Sequence, residues 1–130
     1  MLSQIPKVVH ALYGKPLIGH VLDAVRQAGI RRAIVVVGYR SDLVRSQLGS
    51  GAETVVQRGL KGTGHAVAQA MPLLKGFRGD VVVLYGDTPL LTAQTLKGLL
   101  KMHRRERAVC TLLTARLSDP TGYGRIVRDQ

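Results

Sequence analysis

The sequence predicts an α/β fold with a mainly parallel sheet, and three observations carry that expectation. Residues 33–37 and 81–85 are continuous apolar runs rich in β-branched side chains, the mark of strands covered on both faces. Segments with helical spacing of apolar residues separate such runs. The two kinds of segment alternate along the chain, as in βαβ units, so helices are expected on both faces of one sheet.

The elements follow in order. Pro6-Lys7-Val8-Val9-His10 leads directly toward a helix, an unusual opening for a fold that normally begins with a buried strand. Pro16 suits the first turn of that helix. Leu17, Ile18, Val21, Leu22, Val25 and Ala28 then share one face, His20, Asp23 and Gln27 lie opposite, and Gly29 supplies the stop. Residues 33–37 form the first strand. Ser41 is placed to cap a short helix through Leu48. Residues 53–57 read as a second strand. A helix begins near Thr63 or Gly64 and carries Ala66, Val67, Ala70, Met71 and Leu74. Residues 81–85 form a third strand. Thr92 caps a helix with Leu96, Leu99, Leu100 and His103 on one face. Residues 109–115 form a fourth strand, with Cys110 as a small core residue, and residues 125–127 begin a fifth.

Composition narrows the function classes. The length of 130 residues fits one domain, and no apolar run approaches the length of a membrane span. No secretory or other targeting signal is evident, and a single cysteine excludes an internal disulfide, so a reducing cytoplasm is the expected setting. The formal charge of +11 raises the question of a nucleic-acid partner. The basic residues are spread over both halves, however, and clusters such as Arg31-Arg32 and His103-Arg104-Arg105-Glu106-Arg107 fall at element ends without interleaved aromatics. A solvated Arg-rich surface is the expected reading. A positive field would also attract a triphosphate.

In a parallel sheet, ligands bind beyond the carboxyl ends of the strands. The loops after residues 37, 56, 84 and 115 are therefore the places to look. In Tyr85-Gly86-Asp87-Thr88-Pro89-Leu90, Asp87 stands at such an end as an ionised carboxylate, suited to Mg²⁺, which takes oxygen ligands from one or two carboxylates plus substrate phosphates. Gly86 permits close approach to the backbone. The bland alternative is a turn aspartate before a proline. In Gln57-Arg58-Gly59-Leu60-Lys61-Gly62-Thr63-Gly64-His65-Ala66, glycines run into a helix N-terminus that favours polar or anionic ligands. It is not a Walker A loop, and an ordinary connection is an equal alternative. Gln57 offers a donor and an acceptor together, as a pyrimidine edge requires; His65 reads first as a capping or packing histidine. Lys7 is a surface lysine unless something places it near phosphate. Asp119-Pro120-Thr121-Gly122-Tyr123-Gly124-Arg125 is either a ligand-binding turn or a simple hairpin.

At matching order and spacing, the segments Pro6 to His10, Gln57 to Ala66, Tyr85 to Leu90 and Asp119 to Ile126 resemble the N-acetylglucosamine-1-phosphate uridyltransferases of the sugar nucleotidyltransferase group, over essentially the whole chain. The resemblance implies a three-layer Rossmann-like nucleotide-diphospho-sugar transferase fold, with residues 1–130 as part of its nucleotidyltransferase domain. It implies Asp87 as a Mg²⁺ ligand and Lys7 on the phosphates, these two forming the catalytic pair. It implies Gln57, Gly62 and Thr63 toward the uracil side, with Tyr85, Gly86 and Gly124 lining the UDP-sugar pocket. The implied substrates are UTP and N-acetylglucosamine 1-phosphate, the products UDP-N-acetylglucosamine and pyrophosphate. A related nucleotidyltransferase with another sugar or base is the alternative within the class, and a basic nucleotide- or nucleic-acid-binding module the alternative outside it. The family's first strand and its glycine-rich triphosphate loop are expected before residue 1, with Met1 aligned to the loop's last residue. The later sugar contacts and second metal ligand are expected beyond Gln130. A chain lacking a buried strand would be marginally stable and, without those groups, inactive by itself.

Overall fold

The computed structural model describes residues 4–59 and 61–128. Met1, Leu60 and Gln130, to which the sequence assigns loop and boundary positions, lie outside the described residues.

Residues 7–9 form a 3-10 turn, which runs into a small antiparallel hairpin of β1 (Ala11–Leu12) and β2 (Lys15–Pro16). Tyr13 and Gly14 both take positive φ, 48° and 75°, as the tightest hairpin turns demand. The sequence reading did not anticipate this hairpin. Helix α1 (Leu17–Gln27) follows, with Pro16 as its cap residue, Ala28 closing it and Gly29 at φ 86°. Its apolar face is buried as expected, through Ile18, Val21, Leu22, Ala24 and Val25. On the opposite face His20 is not simply solvated: its Nε2 lies 2.9 Å from the Leu12 carbonyl and ties the hairpin to the helix.

Strand β3 (Ile34–Val37), helix α2 (Ser41–Leu48) and strand β4 (Glu53–Val56) make one βαβ unit, the two strands parallel with Ile34 opposite Glu53 and Val37 opposite Val56. Arg32 secures this register at its amino end. It makes a two-pronged bond to the Glu53 carboxylate at 2.7 and 3.2 Å and a further one to the Leu73 carbonyl at 2.8 Å. Ser41 is the first residue of α2 rather than its cap; Arg40, in the left-handed conformation, holds the cap position without a side-chain bond. Helix α3 (Gly62–Ala70) begins one residue before the expected range and passes into a 3-10 turn over Met71–Leu74, so Met71 and Leu74 fall outside it. Helix α4 (Ala93–Arg105) carries the expected cap, with Thr92 Oγ1 accepting the Thr95 N–H at 3.1 Å.

The core has two parts joined by α1. Ile18 and Leu22 pack with Val37, Val44 and Leu48, with Val8, Val9, Ala33 and Val35 at the margin. Ala24 and Val25 pack with Leu96, with Val82 and Leu84 against them. One helix thus supports both β3 and the 81–85 segment.

The expected third, fourth and fifth strands join no ladder among the described residues. Residues 81–85 keep the alternation of an extended chain: Val82 and Leu84 are partly buried, while Val81, Val83 and Tyr85 are exposed. Residues 109–115 are largely exposed, and Cys110 with them, correcting its placement in the core. Thr111 Oγ1, 2.9 Å from His103 Nδ1, ties this segment to α4. Ile126 and Val127 are exposed too. A β-branched run states a preference for a pleated, half-covered surface. A strand also needs a neighbour whose backbone completes its hydrogen bonds, and these runs have none in the described part. The fold is therefore α/β with a small parallel sheet. No helix in the described part is long and apolar enough to cross a membrane.

Candidate functional site

The carboxyl end of the sheet is defined by Val37 and Val56. Gln57 continues from there, its N–H donating to the Val37 carbonyl at 2.7 Å. Val37 shares its cluster with Ile18, the second residue of α1. Gly86 meets the same residue from the other side. A Cβ built on Gly86 would lie 3.0 Å from Ile18 Cδ1 and 3.2 Å from Val8 Cγ1. The glycine thus lets the turn after residues 81–85 sit directly on the start of α1 and on the 3-10 turn that holds Lys7.

That approach sets the closest pairing of predicted site residues: Lys7 Nζ lies 2.7 Å from Asp87 Oδ2. The turn is stiffened by the Thr88 hydroxyl, which donates to the Tyr85 carbonyl at 2.8 Å, and by the Leu91 N–H, which donates to the Thr88 carbonyl at 3.2 Å. Lys7 is 61% exposed and Asp87 30%, so the pair adds little stability, about 0–1 kcal/mol. Either partner can be turned toward an incoming charge at small cost.

A second grouping joins Gln57 to the start of α3. Gly62 opens the helix at φ 83°, a conformation that favours glycine, and its carbonyl accepts from Gln57 Nε2 at 3.1 Å. The same nitrogen lies 3.0 Å from His65 Nδ1, and His65 Nε2 lies 3.2 Å from the Gln69 amide. From its position in the sequence, His65 reads as a capping or packing histidine. Its connection to Gln57 was readable only as an eight-residue spacing across a loop. Thr63 is exposed in the first turn of α3, and Tyr85 is 62% exposed beside Gly86.

Gly124 stands apart, with no hydrogen bond or ion pair among the described residues linking its turn to either grouping. Its turn closes on itself. The Tyr123 N–H donates to the Pro120 carbonyl at 3.0 Å, the Thr121 N–H donates to Asp119 Oδ1 at 3.0 Å, and Arg125 donates to the Pro120 and Tyr123 carbonyls. The bonds from Thr121, through its side chain and its backbone N–H, hold the Asp119 carboxyl below its usual range.

No group of three or more His, Cys, Asp or Glu side chains stands ready for a metal among the described residues. The donor set still suits one kind of cation. Asp87 is a turn carboxylate whose second oxygen has no hydrogen bond among the described residues, an oxygen ligand of the kind Mg²⁺ takes when water and phosphate supply the rest. A concavity of about 360 Å³, lined by Arg26, Gly29, Ile30, Arg31 and Gly51, lies at the other end of the sheet, where α1 finishes and β4 begins. Its lining holds no carboxylate or nucleophile, so the chemistry is better sought in the open carboxyl end.

Parallel strands with a glycine-led helix and a lysine–carboxylate pair near their carboxyl end make an α/β arrangement, a class whose ligands bind beyond that end. The chain belongs to the MobA-like NTP transferase domain family, which matches residues 1–129. Among curated relatives, it is 48% identical over 129 residues to a bifunctional protein GlmU of Halalkalibacterium halodurans, covering 99% of this chain and 28% of the relative. It is 46% identical over 129 residues to that of Enterococcus faecalis, with the same coverages. It is 50% identical over 131 residues to that of a Cyanothece species, covering 99% of this chain and 29% of the relative. The chain therefore spans less than a third of the length of these relatives.

Proposed function

We propose that this chain is part of a uridyltransferase domain that joins UTP and N-acetylglucosamine 1-phosphate into UDP-N-acetylglucosamine and pyrophosphate. The observation that carries the reading is the Lys7–Asp87 pair at 2.7 Å, set by Gly86 at the carboxyl end of the sheet in a chain of the NTP transferase family. The relatives' name and their identity of nearly half over this whole chain support the substrate assignment.

In the reaction, a phosphate oxygen of the sugar phosphate attacks the α-phosphorus of UTP, and the bond from that phosphorus to the pyrophosphate oxygen breaks. Lys7 neutralises charge on the phosphates once it leaves Asp87. Asp87 would hold Mg²⁺ through one oxygen, and the ion when bound supplies charge neutralisation on the phosphates. Gln57, Gly62 and Thr63 take the uracil side; Tyr85, Gly86 and Gly124 line the sugar-nucleotide side. Gly124 reaches the site only if its self-closed turn folds over toward Tyr85. Residues 81–85 become an inner strand of a three-layer Rossmann-like sheet when a further strand pairs with them, which fits their alternating burial and their packing on the helix that also supports β3. The exposed free thiol of Cys110 fits a reducing, cytoplasmic setting.

Pyrophosphate release tests the reading. The 130-residue chain alone is expected to show no turnover, because the groups that hold the triphosphate act together. The chain joined to the flanking segments of a GlmU relative is expected to turn over UTP with N-acetylglucosamine 1-phosphate in preference to other nucleotide and sugar-phosphate pairs. Preference for another pair would replace the substrate assignment. Robust synthesis by the bare chain would show that fewer groups suffice.

A further inference from the structure

Gln57, Gly62, His65 and Gln69 form a hydrogen-bond chain whose donors and acceptors can be assigned one by one. The Gly62 carbonyl only accepts, so the atom of Gln57 facing it at 3.1 Å must be the amide nitrogen. That nitrogen also lies 3.0 Å from His65 Nδ1. Having only hydrogens to give, it requires Nδ1 to be unprotonated. A neutral imidazole then carries its proton on Nε2, which faces the Gln69 amide at 3.2 Å. Gln69 satisfies that proton by presenting Oε1. Turning its amide gives up only a 3.5 Å contact to the His65 carbonyl, whereas the bonds kept at Gln57 are 3.0 and 3.1 Å. Both hydrogens of Gln57 Nε2 are then engaged. Oε1 keeps no hydrogen-bond partner among the described residues and is the polar atom left to meet a ligand.

We propose that His65, as the neutral Nε2–H tautomer, is a positioning residue that fixes Gln57 as a pure acceptor and so selects a base bearing a ring imino N–H, such as uracil, over cytosine. Uracil N3 carries a hydrogen that Oε1 can accept; cytosine N3 is itself an acceptor and would face Oε1 with no proton between them. This inference rests on the reading that Gln57 faces the base. Without His65, one of the two bonds that hold the Gln57 amide is lost and only the Gly62 carbonyl opposes its rotation, so discrimination falls.

The test uses the 130-residue chain in two measurements. Long-range proton–nitrogen correlation of the His65 ring at neutral pH is expected to show Nδ1 bare and Nε2 protonated, with the Gln57 side-chain amide in a single environment. An Nδ1–H tautomer overturns the proposal, and this readout needs no variant. The second measurement titrates UTP and CTP with Mg²⁺ and follows the amide signals of Gln57 and Gly62. Wild type is expected to favour UTP, and His65→Leu to lose about tenfold of that preference, as for one hydrogen bond. His65→Asn, whose Oδ1 falls near the Nδ1 position and accepts in its place, is expected to restore most of it. An unchanged preference in His65→Leu overturns the proposal. If neither nucleotide moves these signals in wild type, the base-facing reading of Gln57 fails, and the tautomer still decides whether His65 holds the amide.

Discussion

Gly86→Ala probes the contact that brings the candidate site together. The added methyl would sit 3.0 Å from Ile18 Cδ1, 3.2 Å from Val8 Cγ1 and 3.8 Å from Val8 Cβ, where carbon atoms rest comfortably at about 3.5–4.0 Å. The end of Ile18 can swing aside, but Val8 is branched at Cβ and stiff, so the turn itself must lift by a few tenths of an ångström. Overpacking of this kind costs about 1–3 kcal/mol. Against it stands the reduced entropy of the unfolded chain, which favours alanine by about 0.4–1 kcal/mol. Gly124→Ala isolates the second effect, because nothing lies within 4 Å of its added Cβ and its φ is not positive. The two variants are therefore expected to differ by about 1–3 kcal/mol in urea unfolding, with Gly86→Ala the less stable. The lifted turn should also part Asp87 from Lys7, seen as a change in their side-chain NMR signals. Equal stability of the two variants would refute the claim that close packing of Gly86 positions Asp87.

Thr92→Ala removes the one side-chain helix cap found at an α-helix in the described residues and is expected to lower stability by about 0.5–2 kcal/mol in the same assay. The pH dependence is expected to fall on the acid side. The bond from Arg32 holds the Glu53 carboxyl below its usual range, and the bond from Lys15 does the same for Asp23. Their stabilisation is complete above the unfolded values of about 4.3 and 3.9 and is lost as pH falls through the lower folded values. Glu53→Gln should flatten that part of the stability–pH curve, modestly because the pair is exposed and screened by salt; an unchanged curve would remove Arg32–Glu53 from the account.

The parts of the fold that depend on local pattern were legible in the sequence. The apolar stripe of α1, the Thr92 cap of α4 and the runs that became β3 and β4 needed only periodicity and capping chemistry. What escaped depends on partners. Nothing in residues 81–85 or 109–115 says whether a neighbouring backbone is present, so strands were expected where no ladder forms among the described residues. The Tyr13-Gly14 hairpin was missed because two-residue strands leave no periodic trace. At the site, the sequence suggested Lys7 and Asp87 separately, and their meeting depends on the packing of Gly86 against Val8 and Ile18. His65 was undervalued for a similar reason, since its hydrogen bonds cross a loop and reach along a helix.

The most direct test of the central claim is the dependence of pyrophosphate release on Asp87. In the chain extended with a relative's flanking segments, Asp87→Ala is expected to reduce turnover of UTP and N-acetylglucosamine 1-phosphate by at least about 10²–10³, the loss typical when one charge-stabilising group is removed. Asp80→Asn serves as the control. Asp80 pairs with Arg104 at 2.6 Å on the surface, and its variant is expected to leave turnover unchanged. Equal turnover in the Asp87 and Asp80 variants would contradict the placement of the chemistry at the carboxyl end of the sheet.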